Sequence, residues 1–460
     1  MDPLPLSLIA TFANGELERG DPNRVVVSIS TDSRTVRADE LFVPLRGDNF
    51  DGHNFIAQTV QRGAAGAIVD KSWRGDVPSE FVLIRVDDTL RAYQRIAAEY
   101  RKLLGLRVVC ITGSNGKTST KDFVAAVLSR KLRVSKTEGN LNNHVGLPRT
   151  MLSANHGDEI GVWEIGMNHP GEVAPLAALA GSDVAIITNI GVAHIEFMGS
   201  REAIAQEKGE LAAAVQENGT VILNGDDEFS ESIAKRVRAR VVLAGIRNGT
   251  IRAEEIRQTS DGSEFTILEG AHRARAQLPV PGLHMVQNAL LAVAAGRVFR
   301  LSLEECAAGL AATRLTKARL QIREINGVQF IDDSYNANPD SMKAALRTLA
   351  ELETTARRIA VLGEMGELGS ESERGHREVG EVAAEVAVDQ LITVGTGAAI
   401  IADAAGLTNT IVAESHEEAA DWLSENTSRG DLVLIKGSRS ARMERVIEEF
   451  EKRANAEVTR

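Results

Sequence analysis

The sequence predicts an α/β protein whose sheets are mainly parallel and covered by helices on both faces. Short apolar segments with the composition of strands alternate with Ala-rich helical segments along most of the chain. This alternation is typical of chains that stack helices on a parallel sheet. A glycine-rich loop joins one of the apolar segments directly to a helix. The last third of the chain repeats the alternation, which is typical of a doubly wound sheet.

The length indicates several domains, since 460 residues at about 150 residues per domain predict three. We expect a small α/β domain at 1–87, a central domain with a mainly parallel sheet at 88–314, and a C-terminal doubly wound, Rossmann-like domain at 315–460. Hydrophobic residues make up 43% of the chain and charged residues 25%, so the composition excludes a disordered or fibrous protein.

The elements can be predicted in chain order. In the first block, the predicted strands are VVVSIST and LFVPL, and the apolar segment FIAQTVQRGAAGAIV predicts a helix. A helix at 89–104 leads into the central block, whose predicted strands are RVVCIT, IGVWEIG, DVAIITNIG and GTVILNGD. Residues 248–280 are more polar and predict a β-rich segment before the long helix PGLHMVQNALLAVAAGRVF. The predicted strands of the third block are VQFIDDS, RRIAVLGE, QLITVG and DLVLIKG.

Charge and cysteine usage exclude several classes of function. The chain has 52 Lys and Arg against 64 Asp and Glu, a net charge of −12, and only 4% aromatic residues. Nucleic-acid binding, which needs basic patches and stacking rings, is therefore disfavoured. Cys110 and Cys306 cannot form a disulfide framework or a cysteine-based zinc site. We expect a cytoplasmic protein without membrane insertion, because no apolar run of 18 residues or basic signal segment is present.

The glycine-rich loop is the strongest local motif. The apolar run VVCI precedes TGSNGKTS, which occupies residues 112–119, and a helical segment follows. Glycines let the backbone curl around phosphates, and the helix N-terminus offers unpaired N–H groups. Lys117 would reach the β- and γ-phosphates, and the Thr118 hydroxyl would ligate Mg²⁺. Ile111 stands where the full P-loop pattern has glycine, so a tight turn with an incidental lysine is the alternative.

Other polar residues follow predicted strands, where open α/β sheets bind their ligands. Glu164 ends one strand and His194 follows the next, so either could ligate a metal or could be an ordinary packed or solvated side chain. Lys208 alone would be read as a helix-surface lysine. The segment DDSYNANP at 332–339 and the segment KGSR at 436–439 also follow strands; each could bind ligand or could be loop and cap chemistry.

Eight motifs occur together along the chain: TGSNGKTST, GNLNNHVGLP, WEIGMNHPGEV, TNIGVAHIEFMGS, HMVQNALLAVAAG, DDSYNANPDSM, VLGEMGELG and IKGSRSARME. Their types and order resemble the Mur ligase family, the ATP-dependent amide-bond ligases that build the peptide of the bacterial cell wall. The resemblance covers nearly the whole chain. The N-terminal segment TDSRTVRADELFVPLRGDNFDGHNFI is similar to the uridine-nucleotide domain of the later ligases of that series.

The resemblance implies roles for single residues. Catalytic roles fall to Lys117, Lys208, His194, Arg319 and Asp333. Nucleotide contacts fall to Gly113, Ser114, Asn115, Gly116, Lys117, Thr118, Ser119, Asn288, Arg319, Tyr335 and Asn336. Metal ligands are Thr118, Glu164, His194 and Lys208, the last as a carbamate that supplies an anionic oxygen. Substrate contacts are Ser33, Arg34, Asp51, Gly52, His53, Asn140, Asn142 and Asn143. From their position after a predicted strand, and not from the resemblance, we expect Lys436, Ser438 and Arg439 at the incoming peptide, with a strand-to-helix cap as the alternative.

The resemblance implies ATP and Mg²⁺ as cofactors and an acyl-phosphate intermediate. Within the family, the motifs are most similar to the member that joins D-Ala-D-Ala to UDP-N-acetylmuramoyl-tripeptide, and we expect a monomer. The tripeptide-forming ligase is the near alternative, but its D-N-P-R motif is absent from the third block. A folate-glutamate ligase is disfavoured by the uridine-like segment. A non-catalytic nucleotide-binding protein is disfavoured because such a protein needs no lysine that can be carbamylated.

Overall fold

The computed structural model describes residues 1–259 and 261–458. Its strands are β1 Leu4–Pro5, β2 Glu16–Arg19, β3 Val25–Val26, β4 Ser28–Ser30, β5 Glu40–Phe42, β6 Arg46–Gly47, β7 Phe50–Asp51, β8 Gly66–Asp70, β9 Val82–Val86, β10 Arg107–Thr112, β11 Val134–Lys136, β12 Ile160–Glu164, β13 Val184–Ile187, β14 Thr220–Asn224, β15 Arg240–Ala244, β16 Ile251–Thr259, β17 Gly262–Glu269, β18 His272–Leu278, β19 Gln321–Ile325, β20 Val328–Asp333, β21 Arg358–Gly363, β22 Gln390–Val394, β23 Thr410–Ala413 and β24 Leu432–Lys436.

The helices alternate with these strands. They are α1 Leu6–Ala13, α2 Ile56–Gln61, α3 Thr89–Leu104, α4 Lys117–Leu128, α5 Gly146–Ser153, α6 Val173–Ala180, α7 Ile195–Met198, α8 Arg201–Ala213, α9 Ser230–Ala234, α10 Leu283–Val298, α11 Leu303–Ala311, α12 Pro339–Glu351, α13 Ser372–Glu385, α14 Ala399–Ala405, α15 His416–Asn426 and α16 Glu444–Val458. Short 3₁₀ turns lie at Gly52–Phe55, Gly369–Glu371 and Thr396–Ala398. None of the helices in the described ranges combines the length and apolar character of a membrane span.

The chain folds into two compact units. Unit 1 consists of Met1–Cys110, Leu132–Gly166 and Ala174–Asp183. Unit 2 consists of Ile111–Lys131, Met167–Val173 and the chain from Val184 onward. The first segment of unit 1 ends at Cys110, within β10, and the first segment of unit 2 begins at Ile111. The glycine-rich loop that follows β10 therefore belongs to unit 2.

Unit 1 contains a five-stranded sheet in the order β2-β9-β8-β5-β4. All its pairings are parallel except that of β2 with β9. Phe42, Ile56, Val69 and Leu83 form part of its core. In the same unit, β11 and β12 pair in parallel.

Two local predictions for unit 1 are wrong. The segment predicted as one helix is helical only in α2, and its second half is the strand β8, which is buried throughout. A short, fully apolar run has no period that distinguishes a strand from a buried helix. The predicted strand VVVSIST is divided into β3 and β4 at Val27, whose side chain is exposed. Its first half pairs with β1, whereas its second half joins the five-stranded sheet.

Unit 2 contains strands β13 to β18, which neighbour one another in chain order. The first four pair in parallel and the last three in antiparallel fashion. The β-rich segment predicted at 248–280 is therefore confirmed. The helix α10 packs against α4, which carries the glycine-rich loop at its N-terminus.

The C-terminal part of unit 2 forms a six-stranded sheet in the order β19-β20-β24-β21-β22-β23. Its strands are parallel except for the edge strand β19. Strand β24 is buried along its whole length, as expected for a sheet covered on both faces. Phe330, Val361, Ile435 and Phe450 belong to its core. The predicted α/β class and the doubly wound C-terminal sheet are confirmed.

Candidate active site

The glycine-rich loop connects β10 to α4 in a conformation that depends on two glycines. Gly113 has φ +150°, and a Cβ there would lie 1.8 Å from Oγ1 of Thr188. Gly116 has φ +78°, and a Cβ there would lie 2.6 Å from the side-chain amide of Asn288. Lys117 begins α4, and its Nζ donates to the Gly113 carbonyl at 2.9 Å. The loop therefore encloses its own lysine, with the predicted adenine-binding Asn288 beside it.

The loop is held by the segment that follows β13. Oγ1 of Thr188 donates to the Asn115 carbonyl at 2.5 Å, and the Asn115 N–H donates to Oδ1 of Asn189 at 2.9 Å. The Gly191 N–H donates to the Ser114 hydroxyl at 2.8 Å. These bonds, all made within the protein, fix the conformation of the loop. Thr118 and Ser119 are buried in the first turn of α4.

Lys208 lies on α8 and is 1% exposed. Burial lowers the pKa of its ammonium well below the ordinary value, and the positive charge of Lys117 lowers it further, whereas Glu207 opposes the shift. No ion pair of Lys208 with an acid occurs among the described residues. The lysine that resembles a surface residue in the sequence is therefore a buried amine near the lysine of the glycine-rich loop.

His194 has a left-handed backbone with φ +62° and caps the start of α7. Its Nδ1 lies 2.6 Å from Oε2 of Glu367, in the loop after β21. The hydrogen bond from His194 lowers the pKa of Glu367. The structure thus brings the predicted metal-binding histidine next to the carboxylate of Glu367, a residue of the charged segment that the sequence indicates as a solvated loop.

Two predicted residues meet at the carboxyl edge of the C-terminal sheet. Asp333 ends β20 and Lys436 ends β24, and the two are paired in register. Nζ of Lys436 lies 2.5 Å from Oδ2 of Asp333 and donates to the Asn336 carbonyl at 3.0 Å. Lys436 is 2% exposed. Its partner in the structure is therefore Asp333, and its contact with an incoming peptide stays a prediction.

Arg319 lies before β19, with its guanidinium stacked on the ring of Tyr335 at 4.2 Å. Ser438 is buried, and its N–H donates to the Glu364 carbonyl at 2.9 Å. Arg439 is exposed and pairs with Glu444 at 2.9 Å. Tyr335, Ser438 and Arg439 lie in loops that follow strands of the C-terminal sheet, as the sequence predicts, whereas Arg319 precedes the edge strand β19.

The C-terminal loops contact the glycine-rich loop within unit 2. Nδ2 of Asn338 donates to Oδ1 of Asn115 at 2.7 Å. The Val192 N–H donates to Oδ2 of Asp340 at 3.2 Å. Asn338 also caps α12, and the sequence Asn-Pro-Asp-Ser is a visible helix-start signal. The signal predicts the cap but not the second hydrogen bond that the same side-chain amide makes to Asn115 of the glycine-rich loop.

In unit 1, Glu164 is 3% exposed and ends β12. Its Oε1 accepts a hydrogen bond from Nδ2 of Asn142 at 2.8 Å, and its N–H donates to the Thr137 hydroxyl at 2.9 Å. Oδ1 of Asn143 accepts from the Gly146 N–H at 2.8 Å, at the start of α5, while Asn140 is exposed. The predicted substrate asparagines therefore form one loop beside the predicted metal ligand.

Arg34 and Ser33 lie in the turn after β4. The Arg34 guanidinium binds the Asp32 carboxylate through two hydrogen bonds of 2.9 Å each. These bonds lower the pKa of Asp32 to about 2. Because the Arg34 side chain is 81% exposed, it remains accessible to an anionic substrate.

Asp51 and His53 form a second cluster in unit 1, around Gly52. The His53 ring is buried, with Nδ1 2.6 Å from Oδ1 of Asp51 and Nε2 accepting from the Asp70 N–H at 3.2 Å. Burial opposes ionisation of Asp51, but hydrogen bonds from His53 and Arg46 outweigh it and lower the pKa of Asp51 to about 2. Both nitrogens of the His53 ring are thus occupied by protein partners, and the ring orients Asp51.

Comparison with known proteins finds similarity along nearly the whole chain. Residues 25–101 match the catalytic domain of the Mur ligase family, residues 111–296 match the Mur ligase middle domain, and residues 318–439 match the Mur ligase glutamate ligase domain. A Bacillus subtilis UDP-N-acetylmuramoyl-tripeptide–D-alanyl-D-alanine ligase is 39% identical over 96% of this chain and 95% of its own. The chain belongs to the Mur ligase family.

Further Mur ligases show the same extent of similarity. The Escherichia coli ligase of the same name is 35% identical, over 97% of this chain and 98% of its own. A crystal structure of MurF from Acinetobacter baumannii superposes with a TM-score of 0.91 at 30% identity, covering 98% of this chain and 99% of that one. MurF from Thermotoga maritima in complex with ADP gives a TM-score of 0.84 at 29% identity, covering 94% and 98%. The resemblance read from the motifs is therefore confirmed at the level of the family and its fold.

Proposed function

We propose that this Mur ligase joins D-Ala-D-Ala to UDP-N-acetylmuramoyl-tripeptide with cleavage of ATP to ADP and phosphate, giving the pentapeptide precursor of peptidoglycan. The observation that carries the proposal is the full-length similarity to ligases named for this reaction, at 39% and 35% identity. The preorganised phosphate loop and the C-terminal loops that contact it support ATP-dependent ligation. We further propose that the protein acts as a cytoplasmic monomer, with domains at 1–87, 88–314 and 315–460.

The reaction has two steps. An oxygen of the tripeptide carboxylate attacks the γ-phosphorus of ATP, the bond from that phosphorus to the β,γ-bridging oxygen breaks, and ADP leaves. The amine of D-Ala-D-Ala then attacks the carbonyl carbon of the acyl phosphate and loses a proton. The carbon–oxygen bond to phosphate breaks, which leaves a new amide. An acyl phosphate is hydrolysed by water, so the site must be closed while the intermediate exists.

The residues of unit 2 supply binding and charge neutralisation in this scheme. Backbone N–H groups of the glycine-rich loop and the ammonium of Lys117 would hold the β- and γ-phosphates. The guanidinium of Arg319, kept in place by Tyr335, would neutralise charge on the transferred phosphoryl group. Asn288 would contact the adenine beside the loop. In unit 1, exposed Arg34 would bind the diphosphate of the uridine nucleotide.

We propose Mg²⁺ as the metal and a carbamylated Lys208. Only a neutral amine reacts with carbon dioxide, and burial, which lowers the pKa of Lys208 well below its ordinary value, favours the neutral form of this side chain. The carbamate would add an anionic oxygen to the hydroxyl of Thr118 and the imidazole of His194, a donor set that suits a hard cation. Glu164 remains a further predicted ligand. Mg²⁺, when bound, would neutralise phosphate charge.

Phosphate release by the purified chain tests the function. ATP, Mg²⁺, UDP-N-acetylmuramoyl-tripeptide and D-Ala-D-Ala are supplied together and with each one omitted, and the product mass is measured. We expect release only when both acceptors are present, with a product that has gained the dipeptide less one water. Turnover with single amino acids on shorter muramoyl peptides would instead indicate a sister ligase. ATP binding without turnover on any acceptor would indicate a nucleotide-binding protein.

A further inference from the structure

The linker between α11 and β19 has an unusual backbone around Arg319. Ala318 and Leu320, on either side of it, both have left-handed backbones, with φ +59° and +50°. Such conformations cost free energy for residues other than glycine and persist where neighbouring contacts impose them. Nε of Arg319 is buried and has no hydrogen-bond partner in the described part of the chain. The linker therefore contains an arginine whose Nε donor has no partner in the described residues. Contacts with other parts of unit 2 must maintain the backbone conformation on either side of it.

Two contacts hold this linker within unit 2. On one side, the Tyr335 N–H donates to the Ala318 carbonyl at 3.3 Å, and the Tyr335 ring supports the guanidinium. On the other side, Oδ2 of Asp122 accepts both the N–H and the hydroxyl of Thr316, each at 2.8 Å. Thr316 lies three residues before Arg319. The arginine is thus placed between two fixed points.

Asp122 belongs to α4, one helical turn beyond Thr118 of the phosphate loop. Its carboxylate is fully buried, and Oδ1 lies 3.2 Å from Nζ of Lys121, which is also buried. Burying a carboxylate is costly unless it is paired and hydrogen-bonded, and both bonds from Thr316 are made to the charged group. The helix α4 therefore binds the linker through Oδ2 of Asp122, which accepts two hydrogen bonds from Thr316.

We propose that Asp122 is a positioning residue for phosphoryl transfer. It binds Thr316 so that the linker delivers the Arg319 guanidinium at a fixed distance from the phosphate loop. The proposal rests on the proposed role of Arg319 at the γ-phosphate. Asp122 itself touches neither nucleotide nor acceptor in this scheme. Its effect on the rate comes through the placement of Arg319, and a small misplacement of a charged group is enough to slow the chemistry.

Substitution of Thr316 tests its contact with Asp122 without changing the buried carboxylate of Asp122 itself. T316V keeps the shape and the backbone N–H but removes the hydroxyl donor, whereas T316S keeps both donors. T313V is the matched control, because the Thr313 hydroxyl lies on the same linker and donates to the Gly309 carbonyl instead. We expect T316V to lower kcat about tenfold, with the KM for ATP within about twofold of the native value. T316S and T313V should both retain the native kcat.

The double variant T316V/R319K distinguishes a loss of Arg319 positioning from a general loosening of the fold. R319K keeps a charge but loses the planar fork of the guanidinium. If Asp122 acts through Arg319, T316V should lower kcat by less than about twofold in the R319K background. Equal losses in both backgrounds, a native kcat in T316V, or a raised KM for ATP in place of a lowered kcat would each overturn the proposal. A native kcat in R319K itself would instead show that the assigned role of Arg319 is wrong.

Discussion

Lys208 on α8 and Lys436 at the end of β24 are both buried, but their surroundings differ. Lys436 lies 2.5 Å from the Asp333 carboxylate and also donates to a carbonyl. Lys208 lies near a second ammonium, that of Lys117, and its pKa is lowered well below the ordinary value, first by burial. The difference shows that burial alone does not determine what a lysine does. A carboxylate partner favours the charged form of a buried lysine, whereas burial without such a partner shifts the amine towards its neutral form.

Replacement of Lys208 should give the largest effect. We expect K208M to lower kcat by at least about 100-fold, because an anion that supports phosphoryl transfer is lost, while ATP binding stays within about threefold. Ligase assays and nucleotide titration measure both quantities. K235M is the control, since Lys235 is exposed and pairs with Glu231 one helical turn away. In ¹³C-bicarbonate the native protein should show a carbamate signal that K208M lacks. Normal turnover in K208M would refute the assignment.

Replacement of Lys436, which pairs with Asp333, should give a large loss of stability. K436M leaves the Asp333 carboxylate beside an apolar side chain, and we expect the free energy of unfolding to fall by about 3 kcal/mol. The double variant D333N/K436M should lose less than the sum of the two single variants, because no unpaired charge remains. Urea unfolding measures these values. K452M, at an exposed pair with Glu449, should lose less than about 1 kcal/mol. Equal losses in K436M and K452M would contradict the comparison.

The pH dependence of stability sharpens the comparison for Lys208. Its folded pKa lies below the unfolded value of about 10.4, so between the two values the unfolded chain binds more protons. The free energy of unfolding of the native protein, relative to that of K208M, should therefore be lowest below the folded pKa of Lys208. It should rise with pH between the folded and unfolded pKa values and reach its full value above about pH 10.4.

Urea midpoints of both proteins between pH 7 and 10, in carbon dioxide-free buffer without nucleotide, measure this difference. K208M should be the more stable protein at pH 7. Curves that stay parallel over the whole range would show that the Lys208 ammonium is not destabilised by folding. K235M, measured in the same way, should run parallel to the native protein because Lys235 is exposed.

The half-exposed ion pair of His194 with Glu367 should give the smallest effect. The His194 hydrogen bond lowers the pKa of Glu367, so this pair contributes stability above the unfolded pKa of a glutamate and loses it as pH falls through the lowered folded pKa. Because Glu367 is 47% exposed, we expect E367Q to cost less than about 1 kcal/mol at pH 7. Thermal unfolding at pH 7 and pH 3 checks this. A loss as large as that in K436M would show that exposure does not decide the strength of these pairs.

Local patterns in the sequence predict much of this molecule. The glycine-rich loop, the strands that end in Glu164 and Asp333, the β-rich segment and the doubly wound C-terminal sheet all follow from spacing and apolar periodicity. The strand β8 does not, because an apolar run that is buried on both faces carries no period. The metal, carbamate and substrate contacts stay predictions that rest on the resemblance.

The sequence by itself determined the fold class, the glycine-rich loop and membership of the Mur ligase family, because each depends on residues that are neighbours along the chain. Only the tertiary structure decided which lysine is buried without a carboxylate, that both nitrogens of His53 have protein partners, and that Asp122 binds a residue 194 positions away. Burial and long-range hydrogen bonds arise when distant elements pack together. No short pattern of residue types specifies them.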